Sequence, residues 1–183
     1  LLNAAFSLMT LEGHYEAEEF WGINKKLEPD NFYLDTNRSW LLVQKTWLGI
    51  SKKPQEDLKK AHKLALGVLE KDPEHVGTMS IAALIEQTLG DFDAACGRID
   101  KMLILSKDVD DIAMAADIQR SCGNYEGSIK TYEKVHRMAP HFSAWAKVYY
   151  LFAIMMKTFE DQSEDFESAK IYALDQSNKD YLF

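Results

Sequence analysis

A six-residue phrase returns in this chain at a fixed interval. Gly90-Asp91-Phe92-Asp93-Ala94-Ala95 comes back as Gly123-Asn124-Tyr125-Glu126-Gly127-Ser128, so a glycine, an aromatic and a small residue each recur after 33 residues. A period of roughly 20–50 residues is the mark of a solenoid, whose supersecondary units bury their apolar faces only against their neighbours. Each place has a physical reason. The glycine lets two antiparallel helices turn within a few residues, because it accepts a positive φ without a Cβ clash. The small residue lets the second helix approach the first, and the aromatic or aliphatic residue four positions on fills the space beneath. Pro73 and Pro140 end second helices, since proline cannot continue a helix and restrains the residue before it.

The pattern extends in both directions. Lys45-x-x-Leu48-Gly49-x-x-Lys52 leads to Ala61, Ala65, Val68 and Pro73, close to the repeat W-x2-L-G-x2-Y, A-x3-F, P. Gly90, Phe92, Ala95, Ile99 and Met102 hold the signature places of the next unit. Gly123, Tyr125, Ser128, Tyr132, Val135 and Pro140 hold those of the one after. On these residues the chain resembles the tetratricopeptide-repeat family over nearly its whole length. It departs at Lys107, where a proline is expected, and at Ala115-Ala116, which replace Leu-Gly. The resemblance implies an all-α fold, a right-handed α-α superhelix of about five helix pairs. Its units fall at about 1–31, 32–75 with a long first helix, 76–108, 109–142 and 143–178.

The flanking segments follow the same logic. Gly13-His14-Tyr15, Ala17, Trp21 and Pro29 form a degenerate opening unit, and 44 residues separate Pro29 from Pro73. The excess predicts a lengthened helix over about Tyr33–Ile50, heavily buried through Trp40, Leu41, Val43, Trp47, Leu48 and Ile50, then a loop at Ser51–Gln55. Glu56 and Asp57 then sit in the first turn of the next helix, where carboxylates suit the dipole. After Pro140 a helix runs from Ala144-Trp145 to about Lys157, followed by an acidic stretch and a final helix at Phe166–Leu174. Terminal repeats carry a polar outer cap, whereas this chain opens Leu1-Leu2 and closes Tyr181-Leu182-Phe183. The expectation is that the array continues in a longer protein or that its ends stack on another copy as a homodimer. The entry Lys53-Pro54-Gln55-Glu56-Asp57-Leu58-Lys59-Lys60-Ala61 and the step Ala139–Trp145 look most like the repeat region of bacterial regulators. In that group the output domain is a class III adenylate/guanylate cyclase or a winged-helix domain, which lies outside this chain.

Composition excludes several classes. A net charge of −8 without a basic stripe argues against nucleic acid as a partner. The longest apolar run, Val148–Met156, falls short of the ~18 residues that a membrane span needs. With no signal peptide either, a cytoplasmic location is expected. Cys96 and Cys122 lack C-x-x-C spacing and read as two reduced, buried small residues.

Catalytic motifs are missing. No two of His14, His62, His75, His136 and His141 stand at i, i+4 around a Glu, and no phosphate loop or nucleophile elbow occurs. Asp108, Asp110 and Asp111 lack the glycine and terminal Glu of a calcium loop and instead suit the cap of a helix starting near Ile112. Trp21, Trp40, Trp47 and Trp145 read as core, as do Met155 and Met156. No enzyme, cofactor or metal is expected.

In the family, the first helix of each pair lines the concave face. The resemblance therefore assigns the second, fifth, ninth and twelfth places of each unit to partner binding. These are Val43, Thr46, Ile50 and Lys53, then Gly77, Ser80, Leu84 and Gln87, then Asp110, Ala113, Asp117 and Arg120, and finally Ala144, Lys147 and Leu151. Neither the Asn nor the paired Lys of the family's clamp for C-terminal carboxylates appears at these places. The expected function is a non-enzymatic scaffold or sensory segment of a larger regulator, binding a protein or peptide with mixed contacts. Alternatives are a self-association module that aligns output domains, which light scattering detects, and a small-molecule sensor under the Trp40–Trp47 helix, which a thermal-shift screen addresses.

Overall fold

The structure, a computed structural model, describes residues 13–141 and 144–161. Every regular element among them is an α-helix: α1 His14–Leu27, α2 Tyr33–Trp47, α3 Pro54–Leu69, α4 Val76–Leu89, α5 Phe92–Leu105, α6 Val109–Ser121, α7 Tyr125–Met138 and α8 Ala144–Asp161. The chain divides into two compact units, residues 1–95 and 96–183, and α5 starts in the first and continues in the second.

In the first unit α1 packs on α2, α2 on α3 and α3 on α4, while α2 also reaches α4. Leu58, Ala61, Ala65 and Val68 form the buried stripe of α3 at helical spacing. Pro54 opens that helix at a position where the missing N–H costs nothing, with Glu56 and Asp57 in its first turn. Ser39 Oγ on α2 donates to the Ala61 carbonyl at 2.8 Å, which holds the two backbones close. The hydroxyls of Thr36 and Thr78 meet at 2.6 Å and tie α2 to α4. His75 caps α4, its Nδ1 accepting from the Thr78 N–H at 3.1 Å. Thr78 to Glu86 are all buried, so the middle of α4 has no solvent face. The one carboxylate in that run, Glu86, meets His62 Nε2 of α3 at 2.9 Å.

In the second unit α6 packs on α7 and α7 on α8, and α6 also reaches α8. Ala116, Tyr132, Ala146, Tyr150 and Ile154 form one core cluster, and Ile112, Ala113 and Val135 another. Ser128 Oγ donates to the Ala116 carbonyl at 2.7 Å, and Thr131 Oγ1 to Gln119 Oε1 at 2.8 Å.

Gly49, Gly90 and Gly123 take φ of +69°, +83° and +79° just past α2, α4 and α6. A side chain there would cost about 1–2 kcal/mol, which is why the phrase starts with glycine. Gly49 also corrects an expectation. The helix predicted to reach Ile50 stops at Trp47, and the Ile50 and Ser51 N–H groups both turn back to the Lys45 carbonyl. Pro54 then opens α3 inside the stretch expected to be loop. α6 starts at Val109 rather than near Ile112, because Asp108 is its cap and accepts from the Asp110 N–H at 2.8 Å.

The tryptophans are not the buried core expected. Trp21 and Trp40 are half-buried and Trp47 is 49% exposed. Trp21 instead donates Nε1–H to the Leu34 carbonyl at 3.0 Å and carries the Arg38 guanidinium 3.9 Å above its ring. The cysteines are corrected as well. Cys96 and Cys122 are half-buried and joined as a disulfide, their Cα atoms 6.5 Å apart. The apolar ends Leu1-Leu2 and Tyr181–Phe183, the Phe166–Leu174 helix and the Trp145 side chain lie outside the described residues.

Candidate functional site

One turn of α6 sets Asp117 and Arg120 side by side, as i, i+3 spacing dictates. Arg120 donates from Nε and Nη2 to the same oxygen, Asp117 Oδ1, at 3.1 and 2.6 Å. Its guanidinium carbon lies 5.0 Å from the Tyr149 ring centroid and 5.2 Å from that of Phe152, both on α8. A cation at that range is attracted to the ring faces and held over them. Tyr132 of α7 belongs to the same neighbourhood. Its ring stands edge-on to Tyr150 at 6.3 Å, and the residue is 2% exposed. Its hydroxyl is buried with no hydrogen-bond partner among the described residues. Burial first, then the charge of Asp117, pushes the phenol far above its ordinary ionisation, and Arg120 opposes them.

α8 has two unlike faces. Ala146, Tyr150, Ala153, Ile154 and Thr158 are buried. Val148, Tyr149, Phe152 and Phe159 face outward, 62%, 38%, 41% and 43% exposed. At the far end Lys157 Nζ contacts Asp161 at 2.7 Å and Glu160 at 3.2 Å, and these bonds, Asp161 foremost, hold its pKa above the ordinary lysine value.

Of the positions assigned to binding in this unit, Asp117 and Arg120 come together with the α8 aromatics. Asp110 is exposed in the first turn of α6, Ala113 is buried, and Lys147 and Leu151 are half-buried on α8. The Ala144 side chain lies outside the described residues. Sequence reasoning missed Tyr132, Tyr149 and Phe152. Tyr149 and Phe152 sit in the uncharged run Val148–Met156, weighed only as a membrane span, and the packing of the opposite face shows that they point out.

In the first unit Val43, Ser80 and Leu84 are buried, Thr46 and Gln87 are half-buried, and Gly77 is exposed. Thr46 Oγ1 donates to its own helix at the Leu42 carbonyl, 3.1 Å away. Ile50 and Lys53 lie on no helix, because Gly49 ends α2 ahead of them. Both line a cleft of about 330 Å³ with Glu18, Lys45, Ser51, Lys52 and Asp57. The cleft is internally paired: Lys45 Nζ to Glu18 at 3.3 Å, Ser51 Oγ to Asp57 at 2.7 Å, and Lys53 Nζ to Glu56 at 3.0 Å.

Among the described residues no group of three or more His, Cys, Asp or Glu is gathered to hold a metal, and no helix is long and apolar enough to cross a membrane. Compared with known families and with curated proteins, the chain matches no family model and no curated protein.

Proposed function

We infer that the chain is a non-enzymatic scaffold of tetratricopeptide type that binds a protein or peptide, its helix pairs winding into a right-handed superhelix. Left-handed glycines after α2, α4 and α6 support the pairing. So does the recurrence of contacts between alternate helices, α2 with α4 in the first unit and α6 with α8 in the second. The observation that carries binding is the outward apolar face of α8 beside Arg120. Scattered exposed apolar residues are ordinary, but several on one helix face beside a held cation mark an interaction surface. Helix-in-groove recognition uses apolar anchors at this spacing. In a longer parent protein the scaffold serves as a sensory segment.

Selection of displayed peptides against the purified chain tests this reading. Binders should emerge whose affinity falls on Val148→Ser with Phe159→Ser while the melting temperature holds. No binders, or binders indifferent to both changes, would count against it. A chain that sediments as a dimer until Phe152→Ser is introduced would assign the face to a second copy instead.

A further inference from the structure

We propose that Arg120, Tyr132, Tyr149 and Phe152 form a receptor site for a carboxylate carried on the apolar face of a partner helix, a proposal that rests on the scaffold reading above. The site is rich in donors that nothing among the described residues satisfies. A guanidinium has five N–H donors, and Arg120 places only Nε and one Nη2 hydrogen on Asp117. The others have no acceptor among the described residues, although the side chain is only 18% exposed. The Tyr132 hydroxyl is buried and equally without a partner there, and the residue packs in one core cluster with Ala116, next to Asp117 on α6, and Tyr150, next to Tyr149 on α8. Buried polar groups are almost always paired in folded proteins, so an orphan donor in the α6–α7–α8 core that also holds a half-used guanidinium points to a missing acceptor. A carboxylate supplies two oxygens in the plane that a guanidinium fork prefers.

The rings select what the carboxylate is attached to. Tyr149 and Phe152 present exposed surface beside Arg120, so the acid must arrive with apolar surface around it. The same face continues to Phe159, seven residues beyond Phe152 and therefore on the same side of the helix. From Val148 to Phe159 it spans roughly 16 Å at the helical rise, about three turns. A small acid would fill only the first turn. Beyond Phe159 stand Glu160 and Asp161, exposed, with Lys157 set against both carboxylates. The occupant that matches this order is an amphipathic helix with an acidic residue at one end of its apolar face and a basic residue about three turns away. A second copy of this chain fits less well, since each copy carries a net charge of −8.

Synthetic helical peptides test the assignment with the full chain. Two peptides share a leucine face and carry one Glu at one end and two Lys at the other, in opposite chain directions. Controls replace Glu with Gln, and phenylacetate stands for a small acid. Affinity is read by anisotropy and position by amide shifts. One peptide should bind about tenfold tighter than its Gln form and than phenylacetate. Arg120→Gln should abolish that tenfold preference and bring the Glu and Gln peptides together, as a double-mutant cycle requires. Arg120→Lys keeps the charge without the fork, and an intermediate loss is expected; it also serves if Arg120→Gln fails to fold. Tyr132→Phe should weaken the Glu peptide more than the Gln peptide, whose uncharged amide oxygen accepts the weaker hydrogen bond. Equal affinity for Glu and Gln forms, or no binding by either peptide at about 1 mM, overturns the site. Phenylacetate binding as tightly as the peptides overturns the choice of a helix. Shifts confined to residues 13–95 overturn this site while leaving the scaffold reading intact.

Discussion

Ser128 Oγ donates to the Ala116 carbonyl at 2.7 Å, and Ser128 is fully buried. The small position of the repeat thus spends its one polar atom on the backbone of the facing helix. The first unit has the counterpart with the roles exchanged, Ser39 on the first helix donating to the carbonyl of the small residue Ala61. Ser128→Ala should cost about 0.5–1.5 kcal/mol, one lost neutral hydrogen bond. Ser128→Leu should cost more, about 1–3 kcal/mol, by forcing α6 and α7 apart. Urea unfolding orders the two; a leucine variant as stable as wild type would mean the contact has room.

Glycines in this chain should split by sign. Gly123 stands at φ +79°, so Gly123→Ala should destabilise by about 1 kcal/mol through backbone strain alone. Gly67, inside α3, has nothing within 4 Å of where a methyl group would stand. Gly67→Ala should stabilise by about 0.5–1 kcal/mol, because alanine loses less entropy in a helix. Gly127 is a third case: a Cβ there would fall 2.6 Å from the Asn124 side chain, whose Oδ1 accepts from the Gly127 N–H. Alanine at 127 should therefore cost about 1 kcal/mol, the worth of the cap it displaces. Thermal melts of the three variants read the signs directly.

This is where the sequence was legible. The glycines that end α2, α4 and α6, the small residues and the proline stops are local steric requirements, and a chain must write them out. The stretch between Trp47 and Pro54 was harder, because Leu48-Gly49 fits an in-helix signature and a helix-ending glycine equally well. Only the turn of Ile50 and Ser51 back to the Lys45 carbonyl decides it. Exposure on α8 was not legible at all. Tyr150 and Ile154 differ from Tyr149 and Phe152 by where α6 and α7 lie, a tertiary fact that no spacing records. The Cys96–Cys122 pairing is of the same kind, since 26 residues of separation carry no signature.

The disulfide should be felt as stability. Closing a loop of this length constrains the unfolded chain by about 3.5 kcal/mol in the chain-entropy account. Dithiothreitol should lower the melting temperature of the wild type and leave Cys122→Ser unchanged. Alkylation before and after reduction, followed by mass spectrometry, checks the pairing itself. Two free thiols in the unreduced protein would show that the bridge does not form.

Glu86 is a buried charge of the first unit, its side chain 1% exposed, and His62 covers it from α3. His62→Ala should destabilise by about 1–3 kcal/mol, since a hydrogen bond to a buried carboxylate is lost. Replacing both, as His62→Leu with Glu86→Leu, should recover much of that loss, because an apolar pair leaves no charge to solvate. Denaturant curves of the single and double variants form the cycle. A double variant worse than the sum of its parts would show that Glu86 has a structural duty beyond this pair.

Tyr132 should show a conflict between stability and binding. Its hydroxyl is buried with no partner among the described residues, so Tyr132→Phe removes a desolvated polar group at little cost in shape. At neutral pH the variant should be as stable as wild type or more so, by up to about 1 kcal/mol. Alkaline pH should separate them further. Burial and the Asp117 charge raise the phenol's pKa in the folded state above 10.0, its value in the unfolded chain. The neutral phenol therefore contributes stability that is whole below pH 10 and is lost as pH rises from there towards the folded value. The wild type should lose stability relative to Tyr132→Phe between about pH 10 and 11. Urea melts at neutral pH and in that range give the difference directly. If the phenylalanine variant is less stable at neutral pH, the hydroxyl already has an acceptor and the donor-rich site loses one of its supports. If it is more stable yet binds the Glu-bearing helix less well, the hydroxyl is kept for the partner.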